Sequence, residues 1–308
     1  MVSTSEAINA YIDLLSSSID TETINQPDFK YIVHHIGRED FEDAKQRCLQ
    51  RMREKGEDVL TWALYGLTLM LQAEVKDAGE ALQKASTLDP ENLLVINLMG
   101  DYLCFAGREM EGEDAYLVSL SRDEKQVHPR QMMFFQFMSR NEYLQALEVI
   151  MPALQTRPED ERTWTSIKTA LAMMGSLDYA EEVAQSLTSE FSNLHTAWRF
   201  QAHVYLTTKK YSKAEHAARK AIQLKQNDGA NWNMLGTILN VTDRYAAAVK
   251  CQRKAIKLAP KNGMFWTSLG LALLKAGERD ECKRVITKAV KLDPEAAMEL
   301  VQHMSMTS

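Results

Sequence analysis

Residues 232–240 read Trp-Asn-Met-Leu-Gly-Thr-Ile-Leu-Asn, and residues 266–274, placed 34 positions later, read Trp-Thr-Ser-Leu-Gly-Leu-Ala-Leu-Leu. Residues 62–70, Trp-Ala-Leu-Tyr-Gly-Leu-Thr-Leu-Met, carry the same frame. The five tryptophans are Trp62, Trp164, Trp198, Trp232 and Trp266, separated by 102, 34, 34 and 34 residues, and 102 is three times 34. Every tryptophan therefore stands at one phase of a 34-residue period, the mark of a repeat array. With tryptophan at position 4, the units begin at 25, 59, 93, 127, 161, 195, 229 and 263, and together they cover residues 25–296.

Other phases agree. Position 8 is Gly66, Gly100, Gly236 and Gly270, and position 20 is Ala44, Ala78, Ala146, Ala180, Ala214 and Ala248, with Gly112 and Cys282 as small variants. Position 27 is Ala85, Ala153, Ala221, Ala255 and Ala289. Position 32 is Pro90, Pro158, Pro260 and Pro294, where proline ends a helix. Positions 4, 7, 8 and 11 fall on one stripe of an α-helix and positions 20, 24 and 27 on a second, so each unit predicts two helices packed face to face. The aromatic at position 17 (Phe41, Tyr143, Tyr211, Tyr245) closes the turn between them. The five tryptophans are expected as buried structural anchors, each burying about 150–250 Å².

This pattern resembles the tetratricopeptide repeat, W-x2-L-G-x2-Y followed by A-x3-F, A and P. Trp232, Leu235, Gly236, Leu239, Ala248, Ala255 and Pro260 carry the resemblance, as do Trp266, Leu269, Gly270, Leu273, Gly277, Ala289 and Pro294. Trp62, Tyr65, Gly66, Leu69, Ala78, Leu82, Ala85 and Pro90 do so as well. The first, third and fourth units depart from it, with Asp28 for Trp, Arg51 for Ala, and Ile96, Ser119, Glu124, Arg130 and Phe134 at other phases. The resemblance implies an all-α fold, an α-solenoid in which helix-turn-helix repeats wind into a right-handed superhelix. Residues 1–24 are expected to hold an N-terminal capping helix and linker, with Ala7, Ile8, Tyr11, Ile12 and Leu15 on its apolar side. Residues 297–308 form a short C-terminal cap, with Met298, Val301 and Met304 as the apolar side and surface left for a second copy or another protein.

Composition narrows the function. The 308 residues carry 36 basic and 42 acidic side chains, a net charge of -6, and no apolar run long enough to span a membrane. The N-terminus lacks the basic and apolar segments of a secretory signal, and Cys48, Cys104, Cys251 and Cys282 show no paired spacing, which predicts a reducing, cytoplasmic setting. Residues 1–160 hold 15 Lys and Arg against 28 Asp and Glu, whereas residues 161–308 hold 21 against 14. The basic residues of the second half (Lys209, Lys210, Lys213, Arg219, Lys220, Lys250, Arg253, Lys254, Lys257) follow helical spacing without stacking aromatics, which reads as a solvated helix face and argues against nucleic acid. No hydrolase, nucleotide-binding or zinc-protease motif is present, and His34-His35 falls where a packed aromatic is usual. The sequence therefore predicts a protein that is not an enzyme, with no cofactor and no metal site.

In the resembled family, first helices line a concave groove that holds a peptide or helix. The phases facing it form an apolar half (Leu60, Leu64, Leu67, Met70, Leu71, Leu94, Leu98, Phe105, Met132, Phe135, Met138), with Asp101 among them, and a polar half (Thr165, Ser166, Thr169, Arg199, His203, Asn233, Thr237, Asn240, Thr267, Ser268). A Leu/Met/Phe stripe suits an amphipathic partner, unless the N-terminal helix or tight packing covers it. No three consecutive units supply the Lys/Asn/Arg set with which some family members clamp a carboxylate. The expected function is a non-catalytic scaffold or adaptor that binds a protein or peptide. The alternatives are a cytosolic chaperone for a secretion- or pilus-type subunit, and a binder of nucleic acid or an acidic partner through the basic half.

Overall fold

The computed structural model describes the backbone of residues 4–306 and the side chains of 8–298 and 300–302. The fold is all-α, and among the described residues no strand occurs. Two compact units make up the chain, Met1–Arg157 and Pro158–Ser308. The first holds α1 (Thr4–Ser18), α2 (Thr21–Ile24), α3 (Pro27–Gly37), α4 (Phe41–Lys55), α5 (Val59–Leu71), α6 (Val75–Leu88), α7 (Leu93–Phe105), α8 (Glu109–Arg122), α9 (His128–Ser139), α10 (Tyr143–Ile150) and α11 (Ala153–Thr156). The second holds α12 (Glu161–Met174), α13 (Leu177–Glu190), α14 (His195–Thr207), α15 (Tyr211–Leu224), α16 (Gly229–Val241), α17 (Tyr245–Leu258), α18 (Gly263–Lys275), α19 (Arg279–Leu292) and α20 (Pro294–Met306).

From α3 to α19 the chain alternates a first helix and a second helix. The second helices begin at Phe41, Val75, Glu109, Tyr143, Leu177, Tyr211, Tyr245 and Arg279, always 34 residues apart. Each hairpin turns through one residue of left-handed backbone two positions before that start: Glu39, Ala73, Gly107, Asn141, Gly175, Lys209, Asp243 and Gly277, with φ between 59° and 81°. In seven of these turns the next amide reaches back five residues, as in Glu74 N–H to the Leu69 carbonyl at 2.9 Å and Lys210 N–H to the Tyr205 carbonyl at 2.8 Å, which ties off the first helix. Carboxylates start several first helices: Asp58 accepts from Thr61 N–H at 2.8 Å and Asp160 from Thr163 N–H at 3.0 Å.

Within each unit the first helices touch one another, α3 on α5, α5 on α7, α7 on α9, then α12 on α14, α14 on α16 and α16 on α18. The second helices pack on their own first helix and on the next one. First helices therefore line the inner side of each stack, the arrangement of an α-solenoid. Phase-20 alanines make this possible, since Ala44, Ala78, Ala146, Ala214 and Ala248 are completely buried between helices. Close approach is needed also at Gly100, where any Cβ would strike the Tyr116 ring.

Two expectations are corrected. Only Trp164 is a buried anchor, at 4% exposure, while Trp62, Trp198, Trp232 and Trp266 are half-buried. The indole sits on the first turn of a first helix, and at Trp164 the rings of Phe191 and Phe200, 6.3 and 5.4 Å away, close it from water. Its Nε1–H donates to the carbonyl six residues earlier: Trp164 to Pro158 at 2.8 Å, Trp198 to Ser192 at 2.7 Å, Trp232 to Gln226 at 2.8 Å and Trp266 to Pro260 at 2.9 Å. The C-terminal helix, in turn, buries a face one residue away from the expected one. Ala297 and Leu300 are completely buried, the latter over Gly270, whereas Met298 and Val301 are 57% and 42% exposed. Met304 and Ala7 lie outside the described side chains.

Candidate partner-binding faces

In the first unit most of the expected apolar groove is already filled. Leu64, Leu67 and Leu98 are completely buried, and Leu94, Met70 and Asp101 are nearly so, which removes them from a list of open contacts. What covers them is the chain's own N-terminus. α1 packs on α3 and α7, and Leu14 and Leu15 belong to one continuous core with Ile32, Leu64, Leu67, Leu94 and Leu98. Leu60, Leu71, Met132 and Met138 are half-buried, and Phe105 and Phe135 remain exposed at 57% and 44%.

A polar cluster sits in this covered face. The Asp101 carboxylate accepts from Tyr116 Oη at 2.6 Å, and His128 Nε2 lies 3.0 Å from both of its oxygens. Tyr11 of α1 hydrogen-bonds to the same carboxylate, and its ring stands 5.8 Å from the His128 ring. Burial, and next the Asp101 charge, push both phenols well above the ordinary tyrosine range, so both stay protonated as donors. Tyr116 and His128 were not singled out by sequence reasoning, because neither repeats at its phase. The available signal was Asp101 itself, an acid on an inward phase of an otherwise apolar helix.

In the second unit the inner face is polar and partly open. Arg199, His203, Asn233, Thr237 and Asn240 are half-buried, Thr165 and Thr169 are exposed, and Thr267 is buried. Arg199 is committed within the unit: it pairs with Glu161, donates to Asn231 Oδ1 at 3.2 Å and lies 3.6 Å from Asp228. His195 stands beside this group, 3.6 Å from Asp228, and burial followed by the Lys225 charge lowers its pKa. Burial, with Lys168 nearby, likewise lowers that of His203, favouring a neutral ring. The amide oxygens of Asn233 and Asn240 are shielded from solvent and have no hydrogen-bond partner among the described residues.

Among the basic outer residues Lys210, Arg219 and Arg253 form ion pairs, as does Arg244 beside them. Lys210 meets Glu181 at 2.6 Å, Arg244 meets Glu215 at 2.5 Å and Arg253 meets Glu281 at 2.8 Å. Lys45 with Glu74, Lys210 with Glu181 and Arg244 with Glu215 all join residues 29 apart, a ladder along the second helices. The cysteines form no disulfide among the described residues; burial raises the Cys48 thiol to about 12 and also raises Cys104, Cys251 and Cys282, so none is an activated thiolate. No described helix is long and apolar enough to cross a membrane.

Residues 196–228, 230–262 and 265–295 match the tetratricopeptide repeat family model. No curated protein matches the chain in sequence. Among solved structures, yeast Tom70 superposes with a TM-score of 0.60 at 15% identity, covering 98% of this chain and 69% of that one. The APC/C hetero-tetramer Cut9–Hcn1 superposes at 0.50 and 16% identity, covering 98% of this chain and 60% of that one. At these identities the likeness is one of fold. Residues 196–295 thus carry three consecutive tetratricopeptide repeats, and the 34-residue helix pitch in which they are set runs from Phe41 to Arg279.

Proposed function

We propose that the chain is a cytosolic, non-catalytic scaffold of eight such units over residues 25–296, which holds an extended partner segment on the inner face of its second unit. The observation that carries this reading is a row of half-buried polar residues on two first helices that touch, Arg199 and His203 on α14 and Asn233, Thr237 and Asn240 on α16. An extended main chain offers donors and acceptors to a polar row of this kind. The polar lining favours recognition of backbone over an apolar side chain. Glu181, Glu215 and Glu281 offset part of the basic charge on the second helices.

The test is co-precipitation from the native cell with the wild-type chain and with Asn233→Ala/Asn240→Ala. Proteins that depend on the face should drop at least tenfold on the variant, with helical content unchanged. If the captured set is the same for both, the face is not the binding surface.

A further inference from the structure

The covered face of the first unit shows what it is built to hold. α1 crosses first helices of successive hairpins, packing on α3 and α7 and reaching α9 through Tyr11, with Leu14 and Leu15 turned into the core. A partner helix bound in a groove would make the same set of contacts, anchors at i, i+3 and i+7 pointing down. The tether is mostly exposed: Ser16, Ser17, Ser18 and residues 20–22 and 25–26 face solvent, while Ile19 packs partly on the core and Thr23 and Ile24 are half-buried. Beyond Ser18 a cleft of about 300 Å³ stays open against Leu93 and Val127, room for roughly another turn of helix. At the floor, Asp101 needs donors; a helix without a hydroxyl at the Tyr11 position would leave a buried carboxylate under-satisfied.

We propose that the inner face of the first unit is a helix-binding groove occupied in cis by α1, and that it exchanges α1 for a partner helix bearing an aliphatic residue, a tyrosine three positions on, and Leu-Leu a further three and four positions on. That pattern is Ile8, Tyr11, Leu14 and Leu15 in α1 itself. This face is distinct from the polar face of the second unit, and the inference stands or falls separately. A short tether presents α1 at an effective concentration on the order of a millimolar. With an intrinsic Kd of α1 for the groove on the order of 10 µM, the tethered helix lowers a competitor's apparent affinity by about a hundredfold.

The probe is a fluorescein-labelled peptide of residues 4–18, titrated into the full chain by anisotropy. Binding to the Ile8→Asp/Leu15→Asp chain should be about a hundredfold tighter than to the wild type, and a peptide carrying Tyr11→Phe should lose about tenfold. Equal affinity for both chains, or no binding to the variant while its helical content is retained, overturns the proposal. Hydrogen exchange on the unaltered chain covers the case in which the variant does not fold. Amides of α1 should exchange at least tenfold faster than those of α5 and α7, and faster still with excess peptide. Protection of α1 equal to that of α5 and α7 and unmoved by peptide overturns it. So does a dimer of the wild-type chain that the peptide cannot dissociate, because a second copy's α1 would then be the occupant.

Discussion

The two units solve one joint differently. In the second, phase 4 is tryptophan every time, and Trp164, Trp198, Trp232 and Trp266 each donate to the carbonyl six residues before. In the first, the same phase is Asp28, Trp62, Ile96 and Arg130. Arg130 keeps the function without the indole, for its Nη2 donates at 3.0 Å to the carbonyl of Glu124, again six residues back. Asp28 inverts it. Buried to 4% exposure, it faces Arg47, Arg51 at 3.0 Å and Lys55 at 2.6 Å, all on α4. Arg51 stands where other units have alanine, so two departures that look like decay of the repeat are partners in one ion cluster. At this phase tryptophan in the second unit and Arg130 in the first tie the start of a first helix to the loop before it, whereas Asp28 ties its helix to the second helix of its own hairpin.

The comparison breaks first at Asp28. Asp28→Ala leaves three cations around a buried gap and should cost about 3 kcal/mol in urea unfolding, far more than loss of any one indole hydrogen bond. A loss below about 1 kcal/mol would mean that the cluster is ornamental. Acid supplies a milder version of the same test. Hydrogen bonding from Lys55 first, opposed by burial and assisted by Arg47 and Arg51, lowers Asp28 to about 2 from an ordinary value near 3.8. A carboxylate depressed in the folded state contributes stability above its unfolded pKa, and that contribution fades as pH falls from about 4 towards 2. Because Lys55 is half exposed to water, we expect a loss on the order of 1 kcal/mol, absent from Asp28→Ala.

Next come the hydrogen bonds themselves. Trp232→Phe strands the Gln226 carbonyl and Arg130→Met the Glu124 carbonyl, each costing about 1 kcal/mol beyond the lost contact area. Trp62 sharpens the point. Its Nε1 has no partner, and Lys84 lies over the ring instead, 4.4 Å from the centroid. Trp62→Phe should therefore cost about 1 kcal/mol less than Trp232→Phe when both are measured by chemical unfolding. The smallest effect is expected in the turns, where Ala73 carries left-handed backbone at φ 61°. Ala73→Gly should stabilise by up to about 1 kcal/mol, and Gly175→Ala should lose a similar amount.

Periodicity made the helices legible because tryptophan, glycine, alanine and proline each answer to a steric demand that recurs with the hairpin. The turns were less legible, since five of the eight left-handed positions are not glycine and their geometry is imposed by the back-bonded amide rather than announced by the residue. For the candidate site, phase put Arg199, His203, Asn233 and Asn240 on first helices, where their side chains are half-buried. The same rule sent Leu64, Leu67, Leu94 and Leu98 into an open groove, and there it failed, because a phase within a repeat cannot register a helix that lies outside the repeats and covers them. Tyr11 and His128 meet only across that covering contact, 117 positions apart in sequence.

The contrast between a filled inner face in the first unit and a partly open one in the second rests on where α1 lies. Selective labelling of tyrosine and histidine rings in the full chain allows nuclear Overhauser effects between Tyr11 and His128 to be read directly. With ring centroids 5.8 Å apart, cross-peaks between the two rings are expected, together with a Tyr11 ring shielded from a water-borne photosensitiser. Absent cross-peaks and a fully reactive Tyr11 would place α1 elsewhere and leave the first unit's groove empty.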